Sequence, residues 1–206
     1  AASAQFMVLD INNSNEGWKE LAPAPQPVSH TVLAAAEKNT NNIYLAGGRK
    51  KNANGISDLF AGLYVYDIAA NSWQTKRPLP YALCAGTGLF SDAGHLLMFG
   101  GDKGTTFHVV ETLLAAISKE TDEAKKQSLI LKKNKLQAAH PGFSKELLQY
   151  NITNDTWKKN GTIPFPVPVT TTAVKNKNII FIPSGEIKAG VRSPDILSVT
   201  ISSKTK

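Results

Sequence analysis

The sequence has a single cysteine and no long apolar run, and each shortage excludes a class of protein. One cysteine in 206 residues, Cys84, rules out an internal disulfide and a cysteine-based zinc cluster. It lies in the apolar stretch YALCAGTGLF (81–90), which indicates a buried and unreactive thiol. No stretch approaches the roughly eighteen apolar residues that a membrane-spanning helix needs, so we expect no membrane partner.

Positive charge is in excess, but it is not concentrated. The formal net charge is +7, yet the lysines are scattered along the chain. The densest group, KKQSLILKKNK (125–135), directly follows Asp122 and Glu123. This pattern is typical of the solvated face of a helix rather than of a phosphate-binding stripe, so we expect no nucleic-acid partner.

Motifs for metal, cofactor or nucleophilic chemistry are lacking as well. The four histidines are widely separated and do not have the spacing of metal ligands. The sequence contains no Ser-His-Asp order, glycine-rich phosphate loop or dinucleotide motif, and it therefore predicts neither a metal nor a cofactor. The first residues, AASAQFMVLD, lack the features of a signal peptide. That leaves export open, because the true start of the protein can lie upstream.

What the sequence does contain is a repeat. Each copy has an apolar strand that ends on glycines, a strand with an aromatic residue, and a tryptophan strand that runs into prolines. Two copies are full and two are partial. The full copies are NIYLAGGR (42–49) with GLYVYDIAANSW (62–73), and HLLMFGGD (95–102) with ELLQYNITNDTW (146–157); the partial copies are FMVLDINNSNEGW (6–18), and NIIFIPSGE (178–186) with DILSVTI (195–201).

Four short strands per copy, with glycines ending the second, predict an all-β fold of the kelch-type β-propeller class. In such a fold, alternating residues of a strand face the two neighbouring blades. The glycines allow close backbone approach, and the tryptophan fills the space between blades. An unrelated antiparallel sandwich with similar hairpins is the alternative. The doubled glycines and the recurring segment after each tryptophan argue against it.

One long interruption separates the second and third strands of the second full copy. Residues 109–138 contain no glycine or proline and place apolar residues such as Leu113 and Ile117 near helical spacing. The sequence predicts a helical insertion at about 103–142, with a hairpin broken around 119–122. Long insertions of this kind usually overhang one face of a propeller, where binding sites occur.

The copies add up to about three blades, a partial ring that occupies residues 1–206. We expect residues 6–11 and 197–201 to lie in one sheet or to pair with a second chain, because unpaired strand edges seek partners. Kelch propellers need more blades to close. We therefore favour a fragment whose missing blades are supplied by the same protein or by a second copy.

The order of a kelch half-propeller, a long helical insertion after GGD (100–102) and the closing motif SGEIKAGVR (184–192) resembles the N-acetylneuraminate epimerases, also called sialic acid mutarotases. The resemblance covers nearly the whole chain, and the insertion combined with the closing motif is its specific part. It implies an isomerase of carbohydrate metabolism that acts on sialic acid. It also implies a six-bladed propeller, of which this chain is about half, in a bacterial periplasmic protein whose signal peptide precedes Ala1.

The resemblance further implies that Glu186 is the proton acceptor and that Arg192 works beside it. The chemistry agrees with these residue types. Interconverting the α- and β-anomers of a keto-sugar acid moves one proton off the anomeric hydroxyl and one onto the ring oxygen, which a single carboxylate can shuttle. An arginine fork binds the carboxylate of the sugar bidentately. From spacing alone, a solvated surface pair of little energetic value remains the competing interpretation.

Further candidates follow from their positions in the repeat. Arg49 and Asp102 come directly after the doubled glycines, so we expect them to project toward the central face as substrate contacts. His108, at the root of the insertion, could hydrogen-bond a sugar, although a structural role is the stronger interpretation. We interpret His30 as structural.

Other functions are open to a propeller of this kind. The main alternative is a non-catalytic kelch module that binds a glycan or a protein partner. A copper-dependent kelch oxidase is disfavoured, because Cys84 has no histidine neighbours in the sequence. A sialidase is disfavoured because the sequence has no S-x-D-x-G-x-x-W box.

Overall fold

The computed structural model describes residues 2–35 and 41–201, and these form antiparallel sheets arranged as consecutive propeller blades. Two sheets have four strands each. The first blade consists of β3 (Val32–Ala35), β4 (Asn42–Ala46), β7 (Leu63–Asp67) and β8 (Ser72–Lys76), in that order, and the second of β9 (Thr87–Phe90), β10 (His95–Phe99), β11 (Glu146–Asn151) and β12 (Thr156–Thr162). Both match the two full copies of the sequence repeat, which confirms the predicted all-β fold of propeller type.

The remaining strands form smaller sheets. The third blade has three described strands, β13 (Val174–Asn176), β14 (Ile179–Ile182) and β17 (Leu197–Thr200). Three two-stranded hairpins complete the set: β1 (Met7–Val8) with β2 (Lys19–Glu20), β5 (Arg49–Lys51) with β6 (Ser57–Leu59), and β15 (Gly185–Lys188) with β16 (Val191–Ser193).

Packing between the blades follows the two-residue period of a strand. In β10, Leu96 and Met98 join the buried cluster shared with the first blade, whereas Leu97 and Phe99 join the cluster shared with the third. Leu96 and Phe99 have no exposed surface. Because each such side chain contributes roughly 1.5–3 kcal/mol when fully buried, this alternation holds three blades together through one central strand.

A hydrogen-bonded clamp, made by the turn after the third strand, joins each full blade to the segment before it. In the first blade, Asn71 Oδ1 accepts hydrogen bonds from the Tyr66 hydroxyl (2.6 Å) and from the main-chain N–H of Ala22 (2.8 Å). Trp73 Nε1 donates to the carbonyl oxygen of the same Ala22 (2.9 Å). The tryptophan therefore fixes backbone as well as filling space between blades.

The second blade repeats this clamp with different residues. Asp155 Oδ1 accepts from the Tyr150 hydroxyl (2.6 Å) and from Arg77 N–H (2.9 Å), and Trp157 Nε1 donates to the Arg77 carbonyl oxygen (2.9 Å). Arg77 follows β8, so these hydrogen bonds join the second blade to the end of the first. The equivalent stretches YDIAANSW (66–73) and YNITNDTW (150–157) thus form the same hydrogen-bonded clamp in the two blades.

The long interruption is a helical hairpin, as predicted. Helix α1 (Thr105–Lys119) and helix α2 (Glu123–Ala138) lie between β10 and β11 and pack against each other. Asp122 caps α2 by accepting a hydrogen bond from Lys125 N–H (2.9 Å), which explains where the second helix begins. Leu113 is buried, whereas Leu114 is half-exposed.

The prediction that residues 6–11 and 197–201 lie in one sheet is wrong within this chain. β1 pairs with β2, while β17 pairs with β14 in the third blade. Phe6 packs edge-on against Tyr66 and Trp73 of the first blade, with ring centroids 4.9 and 5.2 Å apart. The β1–β2 hairpin thus lies on the flank of the first blade.

Candidate active site

Three charged residues occupy the same structural position in three successive blades. Arg49, Asp102 and Glu186 each follow the glycine that ends the second strand of a copy, and each forms a main-chain bridge with the segment just before its blade. The bridges are Ser29 with Arg49, Cys84 with Asp102 and Val169 with Glu186, with N–H···O=C distances from 2.7 to 3.3 Å. The fold therefore places all three at one level around a common centre.

A second set of equivalent residues links the three blades near that centre. His30, Ala85 and Thr170 all have left-handed backbone conformations, with φ of 54°, 58° and 54°. The N–H of Ala85 donates to the His30 carbonyl oxygen (2.8 Å), and the N–H of Thr170 donates to the Ala85 carbonyl oxygen (3.1 Å). Main-chain hydrogen bonds thus pass from blade to blade along the inner edge.

The doubled glycines are needed for this close approach. Gly47 and Gly48 have φ of +63° and +107°, a region that disfavours residues with a side chain. A Cβ atom on Gly47 would lie 2.3 Å from the carbonyl oxygen of Leu83, and one on Gly48 would lie 2.4 Å from Val28 Cγ2. Glycine at both positions lets the following Arg49 reach the inner edge.

These residues surround a cavity of about 420 Å³, within the roughly 300–1,000 Å³ usual for small-molecule sites. Its blade side includes His30, Arg49, Asp102 and Glu186. Its other wall comes from the helical hairpin, with Phe107, Val110, Glu111 and Leu114 of α1 and Gln137 of α2. The insertion therefore overhangs the face that carries the charged residues, as the sequence predicts.

Glu186 lines this cavity from the β15–β16 hairpin. One of its carboxylate oxygens, Oε1, accepts a hydrogen bond from the N–H of Gly190 (2.7 Å), which folds the loop back over the strand. Gly190 has a φ of +74°, so the tight loop depends on glycine there. A carboxylate held in this way faces the same space as Arg49 and Asp102.

Arg192 and His108 are not brought into the cavity. Arg192 lies opposite Glu186 in the hairpin register, but it is exposed and does not line the cavity. His108 Nε2 donates to the carbonyl oxygen of Ser57 (2.8 Å), which ties α1 to β6. The structure therefore brings together Glu186, Arg49 and Asp102 among the predicted site residues, and it places the other two outside.

The sequence predicts a structural role for His30, but in the structure it lines the cavity beside Arg49. Burial and the charge of Arg49 lower the pKa of His30, so its imidazole is neutral at neutral pH and can accept or donate a hydrogen bond. The signal that could have found it is the repeat itself. The tripeptides at 29–31, 84–86 and 169–171 occupy equivalent places before their blades.

Cys84 also borders the cavity, but its thiol is buried, as expected. Burial, followed by the nearby Asp102 carboxylate, raises the pKa of Cys84 to about 12, so it remains a protonated and weak nucleophile.

No cluster of three or more metal-ligating side chains occurs within residues 2–35 and 41–201. Over the same part of the chain, no helix has the length and apolar character to cross a membrane.

A larger groove, of about 830 Å³, lies beside the third blade. It runs between residues 160–168 and 193–200 and is lined by Leu147, Ile163, Phe165 and Leu197 among others. None of the predicted site residues borders it. Its size therefore does not make it the stronger candidate, because it lacks the convergent charged groups of the smaller cavity.

Comparisons with known proteins agree with the fold and identify relatives. A family model described as N-acetylneuraminate epimerase matches residues 1–206. The chain is 27% identical to N-acetylneuraminate epimerase 1 of Escherichia coli O6:H1 over 91% of its own length and 50% of that protein. It is 26% identical to the N-acetylneuraminate epimerase of Vibrio vulnificus, over 97% of the chain and 52% of that protein.

A solved structure shares the fold. The structure of YjhT superposes with a TM-score of 0.75 and 17% identity, covering 98% of this chain and 62% of that one. The chain spans about half the length of the curated relatives that it matches.

Proposed function

The chain belongs to the N-acetylneuraminate epimerase family, and from this premise we propose that its protein interconverts the α- and β-anomers of N-acetylneuraminate. The observation that supports this most directly is the convergence of Glu186, Arg49 and Asp102, from three blades, on one cavity of about 420 Å³. A carboxylate and a guanidinium that line the same cavity are the groups that a sugar acid needs.

In the proposed reaction, the Glu186 carboxylate takes the proton of the anomeric hydroxyl. The bond between the anomeric carbon and the ring oxygen breaks, the anomeric carbon becomes a ketone, and the ring oxygen receives a proton. Closure on the opposite face of the ketone reverses these transfers, so no proton or electron is gained or lost overall. One carboxylate that alternates between acid and base serves both directions.

Arg49 fits the second role, binding the carboxylate of the sugar acid through its planar fork. Asp102 and His30 line the same cavity and can hydrogen-bond the sugar hydroxyls. Arg192, which the family resemblance pairs with Glu186, lies across the hairpin from it.

Replacing Glu186 with glutamine tests the proposal in the whole protein. The variant keeps the shape and hydrogen bonding of the side chain but removes the proton acceptor. We predict that anomer exchange slows by about 100-fold or more, the usual size of general acid–base catalysis. The measurement is NMR of freshly released α-N-acetylneuraminate with and without enzyme.

Glu123→Gln is the matched control, because the Glu123 side chain is 82% exposed on α2. It should exchange anomers at the unmodified rate. Undiminished exchange by Glu186→Gln would remove Glu186 from the mechanism. Binding of the sugar without any exchange by the unmodified protein would favour the binding-module alternative.

The family resemblance also supports action in the bacterial periplasm. Cell fractionation with antibody detection tests this, and a protein found in the cytoplasmic fraction would contradict it.

A further inference from the structure

One face of α1 contacts Arg49 at two points one helical turn apart. The guanidinium carbon of Arg49 lies 4.8 Å from the centroid of the Phe107 ring, a distance typical of a cation–π contact. Its Nη1 lies 3.8 Å from Oε1 of Glu111, four residues further along the same helix. The helical insertion therefore holds a side chain that originates in the first blade.

Glu111 is itself fixed with little freedom to move. It is 4% exposed, and both of its carboxylate oxygens are engaged. Oε2 accepts from the N–H of Ser57 (2.7 Å), and Oε1 accepts from the Ser57 hydroxyl (2.8 Å). A carboxylate buried in this way is stabilised by charge-assisted hydrogen bonds and by a nearby positive charge, and both are present.

Ser57 links the two ions. Its hydroxyl oxygen accepts a hydrogen bond from Arg49 Nη1 (3.4 Å), and the same hydroxyl donates a hydrogen bond to Glu111. These contacts engage Nη1, and a guanidinium has five N–H donors in a rigid fork. Because Glu111 and Ser57 contact this nitrogen and the Phe107 ring lies against the guanidinium carbon, the orientation of the whole fork is set. Arg49 lines the cavity in that orientation.

We propose that Glu111 is a positioning residue that holds the Arg49 fork for the carboxylate of the substrate, so that the helical insertion determines selectivity for sugar acids over neutral sugars. This inference rests on the proposed function, because it assigns the acid-binding group of that site. Glu111 acts through Arg49 and need not contact the sugar.

The test compares the sugar acid with its uncharged methyl ester in the whole protein. Glu111→Gln keeps the shape but removes the charge that orients Arg49. We expect KM for the acid to rise about tenfold, the scale of one hydrogen bond to a charged group, with kcat changed little. KM for the ester should stay unchanged. Equal loss for acid and ester would overturn the proposal, since it would indicate a general structural role.

Two controls separate positioning from simple docking of the helix. His108→Gln weakens the other link between α1 and Ser57 without touching Arg49, and it should leave the ratio of acid to ester unchanged. Glu123→Gln should change neither constant. A change in the ratio on His108→Gln as large as that on Glu111→Gln would refute a specific role for Glu111.

A double-mutant cycle gives a further readout, and a Phe107 variant keeps the proposal testable if Glu111→Gln folds poorly. In an Arg49→Lys background the fork is already lost, so adding Glu111→Gln should weaken acid binding no further. Phe107→Leu, which removes the ring under the guanidinium, should lower the preference for the acid in the unmodified background. Full additivity in the cycle, or an unchanged preference in Phe107→Leu, would contradict the proposal.

Failure of this inference can be told apart from failure of the proposed function. If the unmodified protein exchanges anomers but Glu111→Gln leaves the ratio of acid to ester intact, the positioning role alone is wrong. If the unmodified protein exchanges no anomers, calorimetric binding of the acid and the ester still tests the role of Glu111.

Discussion

Glu146 shows at the scale of a single residue how a carboxylate can stabilise the fold outside the cavity. It accepts a hydrogen bond from the hydroxyl of Tyr81 and from the ammonium groups of Lys159 (2.9 Å) and Lys103 (3.1 Å). The Tyr81 hydrogen bond, and then that of Lys159, lower the pKa of Glu146 from 4.5 to about 2. This carboxylate is therefore ionised throughout the neutral range, and its stabilisation depends on pH.

We predict that Glu146→Gln lowers the free energy of unfolding at neutral pH but not in strong acid. Because the pKa is lower in the folded protein than in the unfolded chain, the stabilisation is fully present above pH 4.5. It is lost as the pH falls toward about 2. Urea unfolding at several pH values measures the gap between variant and unmodified protein. A gap that stays constant down to pH 2 would contradict the cause assigned here. In Glu123→Gln, which removes an 82% exposed carboxylate, the gap should be much smaller than in Glu146→Gln.

At the scale of the element, the repeated clamp joins neighbouring blades through one polar side chain. The side chain of Asp155 accepts hydrogen bonds from the Tyr150 hydroxyl of its own blade and from the main-chain N–H of Arg77, at the end of the first blade. The main-chain carbonyl oxygen of Asp155 accepts a third hydrogen bond, from Arg77 Nε. The hydrogen bond from Tyr150, followed by that from Arg77 N–H, lowers the pKa of Asp155. In the first blade the neutral Asn71 does the equivalent work, so acceptor geometry matters more than charge.

We therefore predict unequal effects of two substitutions at this position. Asp155→Ala removes the acceptor for both Tyr150 and Arg77 and should lower the free energy of unfolding by about 1–3 kcal/mol. Asp155→Asn reproduces the residue of the first blade and should cost less than half as much. Denaturant unfolding measures both, and an equal loss would show that charge rather than geometry holds the blades.

Elements with a local signal could be predicted from the sequence, whereas those defined by distant partners could not. The doubled glycines, the tryptophan turns and the helical spacing of apolar residues in 109–138 are local patterns. They predict the strand ends, hairpins and helices that the structure shows. The position of β1 depends on Phe6 meeting Tyr66 and Trp73, sixty or more residues away, and no local pattern encodes that.

The same distinction holds for the cavity. Arg49, Asp102 and Glu186 could be predicted because each directly follows a repeat signal in its own copy. Glu111 was missed because its role arises only when α1 reaches Ser57 of another blade.

At the scale of the whole molecule, the two flanks of the array of blades differ from its middle. Val32 and Ala34 of β3 are buried against the second blade, but Leu33, on the other face of the strand, is 52% exposed. Val174 of β13 is 53% exposed at the opposite flank. Since the relatives are about twice as long as this chain, further blades covering these faces in the whole protein are the expected arrangement.

A change of Leu33 to glutamate tests that arrangement. In the 206-residue chain made alone, the side chain is exposed and the change should alter the free energy of unfolding by less than about 0.5 kcal/mol. If a neighbouring blade covers this side chain in the whole protein, the loss there should exceed about 2 kcal/mol. Equal small effects in both would indicate that this face stays open to solvent.

The bridges that carry Arg49, Asp102 and Glu186 are formed by main-chain N–H and carbonyl groups, and at Arg49 the Ser29 hydroxyl also donates to the carbonyl oxygen (3.1 Å). The bridges therefore do not require a particular side chain. The equivalent position is an arginine in the first copy, an aspartate in the second and a glutamate in the third. A substitution at such a position leaves the main-chain bridge in place, while it changes both the group that faces the cavity and the hydrogen bonds that the side chain itself makes. Through such positions a repeat protein can diversify its ligands during evolution. An engineer seeking a new sugar specificity would begin with Asp102, whose carboxylate also accepts a hydrogen bond from the N–H of Gly104 (2.8 Å).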